Sequence, residues 1–327
     1  MQAGKRALIL GVSGQDGSYL ADFLLRKGYD VSGTSRDANV SSFTGLAELG
    51  IRERVRRLSV ATSDFRSVLT ALVQVEPDEV YNLSGQSSVG LSFDQPVETM
   101  ESIGIGTLNL LEAIRFTKRP IRFYNASSGE CFGDTAGQQA NEETPFRPRS
   151  PYAVAKAAAF WEVANYREAY GLFACSGILF NHESPLRPER FVTRKIVSAA
   201  CRIARGAQSK LRLGNVHVKR DWGWAPEYVD AMWRMLQRDR PDDYVIATGE
   251  TRSLEEFVSA AFRNVGLDPV DHVVLDPSLK RPTDIEGNFA DPAKAERVLG
   301  WRASARMEQV VRRMTEAEMA KPAIATG

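Results

Sequence analysis

Short apolar runs alternate with helical patterns through the first half of the chain. Residues 7–12 form an apolar run that predicts a strand, and apolar positions between 19 and 24 then repeat at helical spacing until Gly28 ends the helix. Further strands are predicted over 29–35, 58–61, 79–83 and 121–126, and helices over 68–75 and 103–116. This alternation favours a parallel sheet with helices on both faces.

The second half begins regularly and then becomes irregular. A polar, turn-rich loop over 133–150 precedes a long helix over 152–170 and a strand over 172–180. Beyond Asn181, prolines and glycines interrupt the chain, and helices are predicted over 193–205, 226–237, 254–265 and from 307 onward. We predict an α/β protein with a doubly wound parallel sheet over residues 1–180. A smaller mixed α/β lobe lies mainly over 181–327, and the chain crosses between the two.

Composition excludes several classes of protein. The 327 residues carry 42 Lys and Arg against 41 Asp and Glu, so a net charge of +1 offers no electrostatic footprint for nucleic acid or an anionic membrane. Three cysteines without C-x-x-C spacing and three widely separated histidines argue against a disulfide framework, a metal site and a Ser-His-Asp triad. The chain has no apolar run of transmembrane length and no signal-peptide pattern. We expect a soluble, cytoplasmic enzyme or binding protein.

A glycine motif joins the first predicted strand to the first helix. Gly11, Gly14 and Gly17 are spaced G-x-x-G-x-x-G, which differs from the G-x-G-x-x-G fingerprint. Glycines let the backbone approach a pyrophosphate, and the helix N-terminus attracts its charge, so the motif predicts a Rossmann-type dinucleotide site. The alternative is a glycine-rich turn without a ligand. Arg36 follows the second strand where an acid would indicate NAD, so we favour NADP; the alternative is a solvated arginine with NAD as cofactor.

Tyr152 and Lys156 lie four residues apart near the start of a helix and therefore share one face. A lysine ammonium beside a phenol favours the phenolate, so we expect a lowered pKa for Tyr152 and a role in acid–base chemistry on an alcohol or carbonyl. The alternative is an exposed helix pair. Ser128 and Glu130 follow the strand predicted over 121–126, at the strand end where doubly wound sheets bind ligands. Separately, they could be a turn residue and a surface acid.

Longer stretches carry a specific resemblance over nearly the whole chain. They are GVSGQDGSYLADFLLRKGYDV, VYNLSGQSSVGLSFDQP, PFRPRSPYAVAK, NYREAYGLFACSGILFNHESPLR, FVTRKI, LGNVHVKRDWG, DYVIATGE, RPTD and the GW of VLGW. With these the chain resembles the extended short-chain dehydrogenase/reductases, and closely the GDP-mannose 4,6-dehydratases. The resemblance implies a lyase that eliminates water from a GDP-sugar and uses NADP internally. It also implies a homo-oligomer, either dimer or tetramer.

The resemblance also implies roles for individual residues. Tyr152 with Lys156 would take the proton from the sugar 4-OH, and Glu130 with Ser128 would remove the C5 proton and assist loss of water from C6. The residues implied to bind the cofactor are Gly11, Gly14, Gln15, Asp16, Gly17, Arg36, Asp64, Leu83, Tyr152 and Lys156. Those implied to bind the substrate are Ser87, Asn181, Lys195, Gly214, Asn215, Arg220, Arg281 and Asp284. No metal ligand is implied.

Several positions depart from the family pattern. Ser128 replaces a threonine and keeps the hydroxyl, whereas Gly129 and Gly85 replace larger residues near the expected sugar. The double-arginine cofactor motif becomes Arg36-Asp37, Asp284 stands for a glutamate, and Ala61 replaces an acid. Smaller residues beside the sugar would admit a larger substrate such as GDP-manno-heptose. The alternatives are a 4-keto nucleotide-sugar reductase or epimerase, which has less need of Glu130 as a base, and a catalytically silent NADP-binding regulator, which predicts loss of Tyr152, Lys156 or Glu130, although all three are present.

Overall fold

The computed structural model describes residues 4–279 and 282–322. The strands, numbered in chain order, are β1 Arg6–Leu10, β2 Asp30–Ser35, β3 Arg56–Ser59, β4 Glu79–Asn82, β5 Arg122–Ser128, β6 Gln139–Ala140, β7 Ala174–Leu179, β8 Asn181–Glu183, β9 Leu211–Leu213, β10 Lys219–Trp224, β11 Tyr244–Ile246, β12 Thr251–Ser253, β13 Val273–Leu275 and β14 Phe289–Ala290. The α-helices are α1 Gln15–Arg26, α2 Thr44–Glu48, α3 Phe65–Val75, α4 Val89–Asp94, α5 Pro96–Met100, α6 Gly106–Thr117, α7 Pro151–Tyr170, α8 Val192–Ala204, α9 Ala225–Leu236, α10 Leu254–Arg263 and α11 Met307–Met319. Short 3₁₀ turns cover Arg52–Arg54, Gly129–Phe132, Pro269–Asp271 and Pro277–Leu279, and π-helical turns cover Glu101–Ile105 and Ala295–Leu299.

Seven parallel strands form the central sheet in the order β3-β2-β1-β4-β5-β7-β11. Alternate side chains of β1 point to opposite faces, so Ala7 and Ile9 join the core beneath α1 and α9, whereas Leu8 and Leu10 join the core beneath α3 and α6. The strand order reverses between β1 and β4, which is the position where such sheets bind ligands. The predicted doubly wound α/β fold is confirmed.

A second, smaller lobe packs at the carboxyl end of the sheet. It contains the three-stranded sheet β12-β10-β8, the pair β13-β9, and the helices α8, α10 and α11. Its core is built around Trp222, Phe257 and Phe262. The predicted mixed α/β lobe is therefore present.

The chain returns from this lobe to the first domain. Helix α9 packs against α1, and β11 pairs in parallel with β7 as the edge of the main sheet. The residue pattern does not predict β11, because three buried residues carry too short a periodic signal. The division at residue 180 remains a prediction, and residues 225–246 belong structurally with the first domain.

Strand β5 is longer than its pattern predicts. Ser127 and Ser128 lie inside the strand, paired with Ile178 and Leu179 of β7, rather than after it. Polar residues such as these serines are typical of loops, so the sequence pattern ends the strand before them. Hydrogen bonding to the neighbouring strand β7 nevertheless continues through both residues. Within residues 4–279 and 282–322, no helix combines the length and apolar character needed to cross a membrane.

Candidate active site

A cavity of about 480 Å³ lies between the carboxyl ends of the central strands and the second lobe. It is lined by most of the residues that the sequence analysis assigned to catalysis or substrate binding. They are Ser87, Ser128, Glu130, Tyr152, Lys156, Asn181, Lys195, Gly214, Asn215, Arg220 and Asp284, together with Asp16 and Leu83 from the cofactor set. Residues separated by up to 268 positions therefore face a single cleft, which is a default binding-site geometry.

The glycine loop passes closely under the backbone of the strand β4 end. Gly11 has a φ of +84°, and a Cβ there would lie 2.7 Å from the carbonyl oxygen of Leu83. At Gly17 a Cβ would lie 2.4 Å from the carbonyl oxygen of Gly11. Gly14, at the helix N-cap, has only that same oxygen near it, at 3.4 Å. This bare backbone at the start of a 12-residue helix fits the pyrophosphate of a dinucleotide.

The first turn of α1 is bonded to the start of the second lobe. His182 Nε2 lies 2.8 Å from a carboxylate oxygen of Asp16, and its Nδ1 lies 2.7 Å from the Phe180 carbonyl. The amide of Gln15 donates to the His182 carbonyl and accepts from the Ser184 hydroxyl. Gln15 and Asp16 thus bind β8, which contains Asn181, and the residue that follows it.

The Asp16–His182 pair shifts the pKa of both partners. Burial by itself would raise the pKa of the Asp16 carboxyl, but the charge of His182 and the bond to it prevail and lower that pKa. Burial likewise opposes the charged imidazole, yet Asp16 raises the pKa of His182 above its usual value of 6.5. The sequence analysis did not identify His182 as a site residue. The sequence feature that could have identified it is its position in the HES segment directly after Asn181, a predicted substrate residue.

Ser128, Tyr152 and Lys156 meet at the end of β5. The Ser150 hydroxyl caps α7 by accepting from the Ala153 amide, and Tyr152 and Lys156 follow on the face directed at the sheet. The Lys156 ammonium donates to the Ala126 carbonyl at 2.7 Å, and its nitrogen lies 5.9 Å from the centre of the Tyr152 ring. Burial lowers the pKa of Lys156 to about 8.

The expectation that Tyr152 has a lowered pKa is wrong for this structure. Burial of the phenol raises its pKa, and a hydrogen bond with Ser128 offsets that only in part. The Lys156 ammonium is directed at the Ala126 carbonyl rather than at the phenol oxygen, so its charge does not dominate at Tyr152. Nearby Cys131 is buried, and burial raises its pKa to about 12, which leaves it a packed thiol.

Glu130 lies on the 3₁₀ turn that follows β5, beside an arginine of the second lobe. Its backbone N–H donates to the Ser128 hydroxyl at 3.2 Å. One carboxylate oxygen lies 3.7 Å from Nε of Arg220, whose side chain is buried. The other guanidinium nitrogens of Arg220 contact the Ile285 carbonyl at 2.8 Å and Asp284 at 3.2 Å. Arg220 therefore connects two carboxylates at the floor of the cleft.

Three of the other predicted substrate residues, Lys195, Gly214 and Asn215, come from the second lobe. The Lys195 ammonium donates to the Arg212 carbonyl at 2.8 Å, and Asn215 accepts from the His217 amide through its side chain. A Cβ at Gly214 would lie 2.9 Å from the Leu279 carbonyl oxygen, so two chain segments touch there. Arg281 lies outside the described residues.

Besides Gly11, Gly14, Gln15 and Gly17, which form the glycine loop and the start of α1, two more predicted cofactor residues are not part of the cleft lining. The Arg36 side chain is 86% exposed at the end of β2, with Glu98 at 3.5 Å. The Asp64 carboxylate caps α3 by accepting from the Arg66 amide at 2.9 Å. Both remain predictions as cofactor contacts.

The cleft also contains Arg187, which the sequence analysis did not single out. Its Nε lies 3.2 Å from the buried carboxylate of Glu183, and its guanidinium stacks on the Phe191 ring at 3.8 Å. The Thr193 hydroxyl donates to the same carboxylate. Arg187 and Arg190 thus join Lys195 and Arg220 among the cations that line the cleft. Such a lining suits the phosphates of a nucleotide.

The two glycine departures do not enlarge the sugar end of the cleft. A Cβ at Gly129 would lie 2.9 Å from the Phe180 ring, so that ring already fills the space of a side chain. Gly85 has a φ of +104°, and its Cβ would lie 2.8 Å from the Ile103 side chain. A side chain at either position would thus meet protein atoms that are already in place. The expectation that they open room for a larger sugar is therefore wrong.

Comparison with known proteins gives one consistent family. The family model for GDP-mannose 4,6 dehydratase matches residues 8–314. GDP-mannose 4,6 dehydratase 1 of Arabidopsis thaliana is 46% identical over 325 residues, covering 96% of this chain and 90% of that protein. The GDP-mannose 4,6-dehydratase of Sinorhizobium fredii is 47% identical over 324 residues, covering 91% and 92%.

Solved structures share the same architecture. The Thermus thermophilus UDP-glucose 4-epimerase in complex with NAD superposes with a TM-score of 0.83 at 26% identity, covering 96% of this chain and 99% of that one. RMD from Pseudomonas aeruginosa, complexed with NADPH, gives 0.79 at 23% identity, covering 97% and 99%. The cleft geometry, the match over most of the chain and the identity to these relatives agree. The chain belongs to the GDP-mannose 4,6-dehydratase family.

Proposed function

We propose that this protein eliminates water from GDP-mannose to give GDP-4-dehydro-6-deoxy-mannose, with NADP as an internal hydride carrier. One observation carries the proposal: a carboxylate and a hydroxyl, Glu130 and Ser128, adjoin the Tyr152–Lys156 pair in the same cleft. A simple reductase needs the tyrosine and the lysine, but it has less need of a second base. Dehydration needs that base to break a C–H bond.

The first half of the reaction is oxidation of the sugar at C4. Tyr152 acts as a phenolate, which the nearby Lys156 ammonium would stabilise; it takes the proton of the 4-OH and becomes a neutral phenol. The Ser128 hydroxyl, bonded to the phenol, orients it toward the sugar. The bound nicotinamide supplies a hydride acceptor for C4 and later a hydride donor for C6, so the reaction has no net redox change.

The second half is elimination. The C4 ketone makes the C5 proton acidic, and the Glu130 carboxylate removes it. Glu130 passes that proton to the departing C6 hydroxyl, which leaves as water with the help of Ser128. When the hydride returns to C6, C5 takes up a proton, which balances the one that Tyr152 removed from the 4-OH. Arg187, Lys195 and Arg220, which all line the cleft, would bind the diphosphate and hold the sugar beside Glu130. Proton transfers and binding are thus assigned to separate groups of side chains.

NADP rather than NAD is the finer part of this proposal. Arg36 lies at the end of β2. In doubly wound folds, the residue that contacts the 2′ position of the cofactor ribose follows this strand. We expect Arg36→Ala to weaken binding of NADP more than binding of NAD, measured by titration of the cofactor-free protein. Equal weakening of both would remove the argument for the 2′-phosphate.

GDP-mannose is favoured over a GDP-heptose because the cleft gains no room from Gly129 or Gly85. The decisive experiment incubates the purified protein with each GDP-sugar, without added reductant, and follows the loss of about 18 Da expected for one water, by mass spectrometry. Loss from GDP-mannose is the expected result. Loss only from the heptose would refute the substrate, and loss from neither would refute dehydration in favour of a reductase, an epimerase or a regulator.

A variant of the base tests the residue assignment. We expect Glu130→Gln to bind cofactor normally and to stop release of water, because a carboxamide cannot accept the C5 proton. Glu143→Gln is the matched control, since that carboxylate is exposed on the loop after β6 and outside the cleft. Normal turnover by Glu130→Gln would show that another group is the base.

We also propose that the protein is a homo-oligomer that pairs through α5 and α7. Val97 and Trp161 are 69% and 62% exposed on these helices, which pack against each other. Large apolar side chains at such exposure favour a covered surface. Light scattering of the protein and of Trp161→Glu tests this. We expect a dimer or tetramer that the variant weakens, and a wild-type monomer would contradict the proposal.

A further inference from the structure

Asn288 is a buried asparagine that joins the second lobe to the catalytic turn. Its side-chain amide nitrogen donates to the carbonyl oxygen of Gly129 at 2.9 Å. Its backbone N–H donates to the Lys219 carbonyl at 3.2 Å, and its own carbonyl accepts from the Thr251 hydroxyl at 3.3 Å. The residue is 3% exposed. The sequence analysis assigned it no role, and it does not line the cleft.

The bond acts on the peptide unit directly before the proposed base. The carbonyl of Gly129 and the N–H of Glu130 belong to one planar group. Asn288 binds the oxygen of that group, and the Ser128 hydroxyl accepts from its N–H at 3.2 Å. The Phe180 ring packs against Gly129 on another side. Two hydrogen bonds and one ring therefore determine the rotation of this peptide, and with it the direction in which the Glu130 side chain leaves the backbone.

Stability alone does not favour an asparagine here. The side-chain oxygen of Asn288 is buried and has no hydrogen-bond partner among residues 4–279 and 282–322. A buried polar atom left unpaired costs free energy of folding; a leucine of similar shape would avoid that cost but would take the Asn288 donor away from the Gly129 carbonyl. The benefit of the asparagine lies in the single bond that it makes to the turn.

The same segment also sets the distance between the base and Arg220. Asn288 binds the backbone of Lys219, which adjoins Arg220 on β10, and the Ile285 carbonyl accepts from the Arg220 guanidinium. Arg220 lies 3.7 Å from the Glu130 carboxylate. A shift of Asn288 would therefore change both the aim of Glu130 and its spacing from Arg220.

We propose that Asn288 is a positioning residue for the elimination half of the reaction. By holding the Gly129–Glu130 peptide, it directs the Glu130 carboxylate toward C5 and C6 of the sugar. Tyr152 and Lys156 are positioned by α7 and β5 and do not depend on it. This inference rests on the proposed function, and its signature is a defect in one half-reaction only.

The test uses the cofactor-bound enzyme with GDP-mannose and the variants Asn288→Leu and Asn288→Ser. Release of water is followed by mass spectrometry, and reduction of the bound nicotinamide by its absorbance in a single turnover. We expect kcat for water release to fall about 10- to 100-fold, as for a reactive group displaced by about 1 Å. We expect KM and the rate of nicotinamide reduction to stay near wild type, so that reduced cofactor accumulates.

Thr251→Val is the matched control. It removes the bond to the Asn288 carbonyl and keeps the carboxamide, and we expect it to behave as wild type. If the leucine variant does not fold, the smaller and polar serine variant decides. Wild-type water release by the Asn288 variants, or an equal loss of both half-reactions, would overturn the positioning role. A wild-type enzyme that releases no water from GDP-mannose would instead refute the proposed function.

Discussion

Lys156 gives the most quantitative prediction, because burial lowers the pKa of its ammonium from 10.5 to about 8. Only 8% of the residue is exposed, so little solvent screening reduces the effect. At about 1.4 kcal/mol per pKa unit, this depression corresponds to about 3 kcal/mol of free energy of unfolding. The charged lysine therefore destabilises the fold at neutral pH.

The sign of the pH dependence follows from linkage. Between about pH 8 and pH 10.5 the unfolded chain binds more protons at Lys156 than the folded chain does, so stability from this residue rises with pH. Lys156→Met keeps a similar shape and removes the titration. It also leaves the Ala126 carbonyl without its donor, but that loss does not change with pH. The free energy of unfolding of the wild type should therefore gain up to about 3 kcal/mol relative to the variant from about pH 7 to pH 10.5.

The assay is urea unfolding of both proteins over that pH range, with the cofactor removed so that binding does not contribute. Lys118→Met is the control, because Lys118 is exposed at the end of α6 and water already solvates its charge. A difference between wild type and Lys156→Met that does not change with pH would refute the burial argument. The same variant should lose dehydratase activity at every pH.

Two further variants test the packing and the charge pair. Gly129→Ala should lower the free energy of unfolding by about 1–3 kcal/mol, since its Cβ would lie 2.9 Å from the Phe180 ring; unchanged urea unfolding would contradict this packing. In the wild type, proton NMR should show His182 titrating above 6.5, so that its stabilising charge is lost as pH rises through that pKa. Asp16→Asn should move this titration below 6.5, because burial is the largest cause and only the bond to the Phe180 carbonyl then still favours the charged imidazole; an unmoved titration would exclude Asp16 as the cause.

The local sequence pattern was sufficient to predict the elements that carry the candidate catalytic and cofactor-binding residues. The apolar run and glycine spacing around Gly11 predicted a strand, a tight loop and a helix, because such features depend on near neighbours along the chain. The spacing of Tyr152 and Lys156 predicted their common face for the same reason. Strand ends were less accurate: β5 extends through Ser128, since pairing with β7 rather than local composition decides where a strand stops.

Contacts between distant residues were decided only by the tertiary structure. Asp16 and His182 lie 166 positions apart, and Gly129 and Asn288 lie 159 apart, yet each pair is bonded. The sequence by itself determined the fold class and the groups available for chemistry. The order of the strands and the return of the chain through α9 and β11 decided which groups meet, which pKa values shift, and that the space beside Gly129 belongs to Phe180. The periodicity of a sequence shows on which face of a helix or strand a residue lies. Which distant residue packs against that face depends on how the whole chain folds.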